Sequence, residues 1–98
     1  MKGIKMHVIS RRALQVFWEE YPDSGDPLKA WYKIIKATRY QSYSHLKATF
    51  RSVDKVGNKY VFNIGGNKYR LITAIHFNTA RVYVRAVLTH EEYDNGGW

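Results

Sequence analysis

Four side chains near the end of the chain have the types that phosphodiester chemistry needs. His90, Tyr93 and Asp94 cluster just after the last strand-like run, and Arg70 lies on the run before it. RNA can be cut without a metal when its 2′-hydroxyl attacks the adjacent phosphorus. A base must take the 2′ proton, an acid must protonate the leaving oxygen, and cations must hold the phosphoryl charge. Positioned acid–base groups contribute roughly 10²–10⁴ in rate, and stabilisation of the developing charge often matters more. His90 suits proton transfer because an unperturbed imidazole titrates near neutrality. Tyr93 could stack on a base or offer its hydroxyl. Asp94 could orient His90 or act as the base. Arg70 and Arg85 carry planar forks suited to phosphate oxygens. Further candidates for binding RNA or its phosphates are Lys47, His45, Asn63, Lys59 and Lys68.

The charge distribution supports a polyanionic ligand. From Leu28 to Leu88 twelve Lys or Arg face one acid, Asp54, a local balance of +11 within a whole-chain charge of +8. Such a balance favours nucleic acid, a ribosome, an acidic protein or an anionic lipid surface. There is no cysteine, which excludes disulfides and thiolate metal sites and is compatible with a reducing cytoplasm. His7, His45, His76 and His90 lack ligand-like spacing, so neither a metal nor a cofactor is expected. Gly65-Gly66 lacks the lysine and spacing of a phosphate loop and reads as a turn. No run is long and apolar enough to span a membrane, and the first ten residues lack the apolar core of a secretory leader.

Ninety-eight residues make one domain. A core this small leans on its fifteen aromatic residues. Ile4 to Ile9 reads as a short first strand. Ser10 is a candidate cap for a first helix whose Leu14, Phe17, Trp18 and Tyr21 fall on one face. Pro22 to Gly25 is turn chemistry. Asp26 and Pro27 then open a second helix with Leu28, Trp31, Tyr32 and Ile35 on one face. Ser44 is a candidate cap for a single turn over His45 to Phe50, and Lys55 to Asn58 reads as a turn.

Strands follow over Lys59–Ile64, Lys68–Phe77 and Arg81–Leu88. A two-residue hairpin turn at Gly65-Gly66 and a short turn at Asn78 to Ala80 would make them an antiparallel meander. Alternation puts Leu71, Ile75, Phe77, Val82, Val84, Ala86 and Leu88 on an apolar face toward the helices. It leaves Arg70, His76, Tyr83, Arg85 and Asn63 on a half-solvated face. The expected class is α+β, two N-terminal helices packed on a small twisted antiparallel sheet.

Four stretches in order, MHVISRRAL, HLKATF, YVFNIGGNKYRL and VRAVLTHEEYD, resemble HigB-type toxins of the RelE-like superfamily. The resemblance runs from Met6 to Asp94, with residues 1–5 as a possible N-terminal extension of a single RelE-like domain over 1–98. It implies a cytoplasmic, ribosome-dependent mRNA endonuclease that inhibits translation by cutting in the decoding site. It also implies a cognate helix-turn-helix antitoxin, through which alone the pair would reach operator DNA. Lys47 falls in the family's LKA run. Two other readings stay open: a non-catalytic toxin of the same fold acting on DNA gyrase, and a degenerate, inactive copy.

Overall fold

A computed structural model describes residues 5–98. The elements run β1 (His7–Ile9), α1 (Arg11–Glu20), a 3₁₀ turn (Pro22–Ser24), α2 (Gly25–Ala37), α3 (Tyr43–Thr49), β2 (Asp54–Val56), β3 (Lys59–Ile64), β4 (Tyr69–His76), β5 (Arg81–Thr89) and α4 (His90–Asn95). The α+β expectation holds. The sheet is larger than expected and mixed: five strands in the order β1-β5-β4-β3-β2, with β1 parallel to β5 and the other neighbours antiparallel. Residues 1–4, including the expected strand start at Ile4 and most of the possible extension, lie outside the described residues.

Helix α1 buries Leu14 fully and half-buries Phe17, Trp18 and Tyr21, the stripe its periodicity predicts. Ser10 does not cap it by side chain. It adopts a left-handed conformation (φ 74°), and its hydroxyl makes no cap bond. Helix α2 begins at Gly25, one residue before Asp26, leaving Pro27 in the first turn, where a missing N–H costs nothing. The helical cap before His45 is Ser42 rather than Ser44, and its side chain accepts from His45 N at 3.2 Å. Lys55 and Val56 belong to strand β2, and only Gly57-Asn58 turns.

The core lies on the helix side of the sheet. Leu28, Trp31, Ile35, Tyr40 and Leu46 meet Tyr60, Phe62, Ile64, Leu71, Val82 and Val84 there. At roughly 25 cal/mol per Å² of buried apolar surface, aromatic pairs such as Trp31–Phe62 (5.4 Å) and Phe50–Phe62 (5.0 Å) bring the largest areas to so small a core. Both hairpin loops are longer than expected. Ile64 pairs with Tyr69 and His76 with Arg81, so each loop has four residues. Gly65 and Gly66 still supply the positive φ values (62° and 70°) that the turn requires.

One irregularity reorders the sheet. Ile72 pairs with Ala86 but Thr73 with Val84, so Arg85 is an extra residue in β5. Such a bulge shifts the alternation of everything beyond it. Val87 therefore packs on the core, while Ala86 and Leu88 cross from Ile72 and Arg70 on the open face. That overturns the helix-side placement of Ala86 and Leu88 expected from strict alternation. The open face is also drier than expected, since Val61 and Ile72 on it are buried.

Candidate active site

The last helix was not expected from periodicity. It is six residues long, opened by a capping box: Thr89 Oγ1 accepts from Glu92 N at 3.1 Å, and Thr89 N donates to Glu92 Oε1 at 2.9 Å. His90 N donates to Lys68 O at 2.9 Å, tying the first turn to the end of the β3–β4 loop. The signal was legible as Thr89-x-x-Glu92. The helix puts His90 and Asp94 four apart on one face, and packs against the ends of β4 and β5.

Arg70 stands on the open face of β4, opposite Asn63 and Leu88. Only 9% of it is exposed. One guanidinium nitrogen donates to Asn67 O (3.0 Å) and Tyr69 O (3.2 Å), and the other lies 3.1 Å from His90 Nδ1. Arginine carries only donors, so Nδ1 is the acceptor and the imidazole proton sits on Nε2. That nitrogen lies 2.9 Å from Asp94 Oδ2. The result is a directed chain, Arg70 to His90 to Asp94, whose inner end is buried. Its outer end is open, with the His90 and Asp94 side chains 51% and 58% exposed.

Tyr93 covers the chain. The Arg70 guanidinium lies 5.4 Å from its ring centre. Trp98 stacks on Tyr93 at 4.9 Å and 18°, and donates from Nε1 to Tyr93 O at 3.0 Å. Trp98 escaped the sequence reading, having no periodicity to mark it. Tyr93, Asp94 and Trp98 share a cleft of ≈ 550 Å³ with Lys59 and the Val56–Lys59 turn. That cleft is large enough for a nucleotide.

The candidates sort into near and far. His90, Tyr93, Asp94 and Arg70 come together, and Lys59 lines the adjoining cleft. Asn63 faces Arg70 across the ladder, with its amide on Asn67 Oδ1 at 3.4 Å. Lys68 points away and pairs with Asp23 at 2.9 Å. Asp23 also accepts from the Tyr69 hydroxyl. The Tyr69 hydroxyl, followed by Lys68, lowers the Asp23 carboxyl. The Asp23 bond, followed by burial, pushes Tyr69 up to about 12.

His45 and Lys47 sit on α3, whose Leu46 is in the core and whose Tyr43 packs on Tyr60 at 5.7 Å, so that helix belongs to the covered side. His45 Nδ1 accepts from Gln41 N at 3.1 Å, and Lys47 Nζ donates to Val53 O at 3.0 Å. Arg85 is on the open face but apart from Arg70, its guanidinium 5.3 Å from the Tyr83 ring centre.

A family model described as HigB_toxin, the RelE-like toxic component of a toxin–antitoxin system, matches residues 24–96. The mRNA interferase toxin HigB of Escherichia coli K12 is 37% identical over 92 residues, covering 91% of this chain and 88% of the relative. The mRNA interferase HigB of Shigella flexneri shows the same identity and coverage. That of Escherichia coli O6:H1 (strain CFT073) is 34% identical, covering 91% of this chain and 89% of the relative.

Proposed function

The chain belongs to the HigB family of RelE-like toxins, and from that premise we propose that it inhibits translation by cutting mRNA on the ribosome. The observation that carries this reading is the chain from Arg70 through His90 to Asp94 beneath Tyr93. A toxin that only bound its target would have no use for an acid–base pair wired to a buried cation. That weighs against the gyrase alternative.

The geometry supports a role for each residue. His90 moves the proton, because its ring is half exposed and Asp94 sets its direction. Arg70 holds the ring in one tautomer and supplies positive charge from a site where water screens it poorly. The Tyr93–Trp98 stack offers an aromatic platform for a base beside the scissile phosphate. Lys59 supplies a cation on the far wall of the cleft. Attack by the 2′-hydroxyl needs no metal on the protein, and its products are a cyclic phosphate and a 5′-hydroxyl.

The partners in this reading are mRNA, the ribosome and a cognate helix-turn-helix antitoxin, through which the pair binds operator DNA. The setting is the cytoplasm. Among the described residues no helix is long and apolar enough to cross a membrane.

The test is induced expression in a bacterial host, wild type beside His90→Ala, with primer extension on an abundant mRNA. Codon-phased cuts that vanish in the variant are expected. Growth arrest without cuts would point to a gyrase-type target, and neither effect would point to an inactive copy.

A further inference from the structure

The other end of the open face holds a second basic cleft. The β3–β4 ladder stops at Tyr60 and Thr73, while β4 runs on to His76. Beyond that point the Val56–Lys59 turn bends away and leaves a notch of ≈ 580 Å³, lined among others by Lys55, Asn58, His76, Asn78 and Arg85. No carboxylate lines it. Among the described residues Lys55 and Arg85 form no ion pair. The bulge brings Arg85 here: an extra residue in β5, it turns its guanidinium over Tyr83, whose ring meets His76 edge-on at 5.2 Å.

The far end of the notch, at His76, is too distant from His90 to share its chemistry. His76 lies six steps along β4 from Arg70, about 20 Å at ~3.3 Å per residue. Yet the two clefts are neighbours, because Asn58 lines both. A strand leaving the Tyr93–Trp98 platform across Asn58 would meet Lys55 and Arg85 next.

We propose that the Lys55–His76–Arg85 notch is a second binding site for RNA phosphates, which grips the nucleic acid outside the cleavage centre and takes no part in proton transfer. The chemistry that fits is the phosphodiester backbone: two unpaired cations, two side-chain amides and a histidine–tyrosine pair, with no pattern of groups that would read a base. The inference rests on the RNA-cleaving reading above.

The test is binding of the purified toxin to bacterial ribosomes by co-sedimentation across a salt series, with the ribosomes either vacant or programmed with mRNA. Wild type is compared with the double variant Lys55→Gln/Arg85→Gln and with Arg85→Lys alone. Both side chains are exposed, so the variants should fold, and circular dichroism checks that they do. The double variant is expected to weaken binding about tenfold and to flatten the salt dependence by roughly 0.7 for each phosphate no longer neutralised. Arg85→Lys keeps most of the binding, because a point charge suffices for a backbone phosphate. A loss on vacant ribosomes assigns the phosphates to ribosomal RNA, and a loss on programmed ones alone assigns them to mRNA; either supports the site. A folded double variant that binds as wild type overturns it. Wild type that binds no ribosome at all removes the RNA-cleaving reading instead.

Discussion

Helices α3 and α4 are built from similar parts and do different things. Each is short, each is opened by a hydroxyl cap, and each carries a histidine near its start with a basic side chain close by. In α3 the histidine accepts from the backbone amide four residues back, and Lys47 closes on the Val53 carbonyl. Both polar groups are consumed in holding a local loop. In α4 the histidine reaches twenty residues back to Arg70 and four ahead to Asp94. A histidine whose partner is a main-chain amide serves the fold. One whose partners are a buried cation and an exposed carboxylate is placed to move a proton, the role proposed for His90.

The sharpest way to break this comparison is to remove each histidine in turn. His90→Ala should lower the rate of mRNA cleavage by roughly 10²–10⁴, while His45→Ala changes it less than about threefold and lowers the melting temperature instead. Equal losses of cleavage would erase the distinction between the helices. Arg70→Lys comes next. The fork that touches two carbonyls and an imidazole cannot be reproduced by an ammonium, so cleavage timed in a reconstituted translation reaction should fall about a hundredfold.

The caps sharpen the contrast at lower amplitude. Ser42→Ala and Thr89→Ala should each cost about 1 kcal/mol, a fall in melting temperature of roughly 4–8 °C for a domain this size. Only Thr89→Ala should also slow cleavage, since it alone loosens the helix that carries His90. The smallest effect is that of pH on the Asp23–Tyr69–Lys68 cluster, which lies outside both helices. Asp23 is lowered from 3.8, so its contribution is present above that value and fades as pH falls through the folded value. Tyr69 is raised from 10.0 to about 12, so its contribution is complete below pH 10 and is lost as pH rises through about 12. Melting curves of Asp23→Asn should therefore show less fall than wild type at both extremes, whereas a variant that melts in parallel with wild type would remove the cluster from the account of stability.

Much of the scaffold was legible because periodicity writes it. The apolar stripe of α1, that of α2 and the span of β3 follow from spacing alone. What failed to read had no period to show. A three-residue β1 pairs in parallel only because α1 and α2 carry the chain back across the sheet, which no local pattern records. The bulge at Arg85 leaves no composition signal, and it moved Ala86 and Leu88 to the other face. At the site, the nearness of His90, Tyr93, Asp94 and Arg70 was readable because all four follow or flank a strand end. The pairing of Lys68 was not, because its partner Asp23 lies 45 residues away. Trp98 was silent for a related reason: a terminal aromatic shows nothing until something stacks on it.

The bulge at Arg85 also bears on how this chain tolerates changes of length. Substitutions in β5 alter one side chain at a time, but loss of the single codon for Arg85 would remove the spare residue, restore strict alternation and leave Ala86 to Thr89 on the faces they already hold. Helix α4 would then leave the sheet on the same side, with His90 still beside Arg70. In-frame deletion there should leave the Arg70–His90–Asp94 chain standing, while one further residue inserted after Arg85 and carried into the ladder would turn Ala86 to Thr89 over, making this strand tolerant of loss and intolerant of gain.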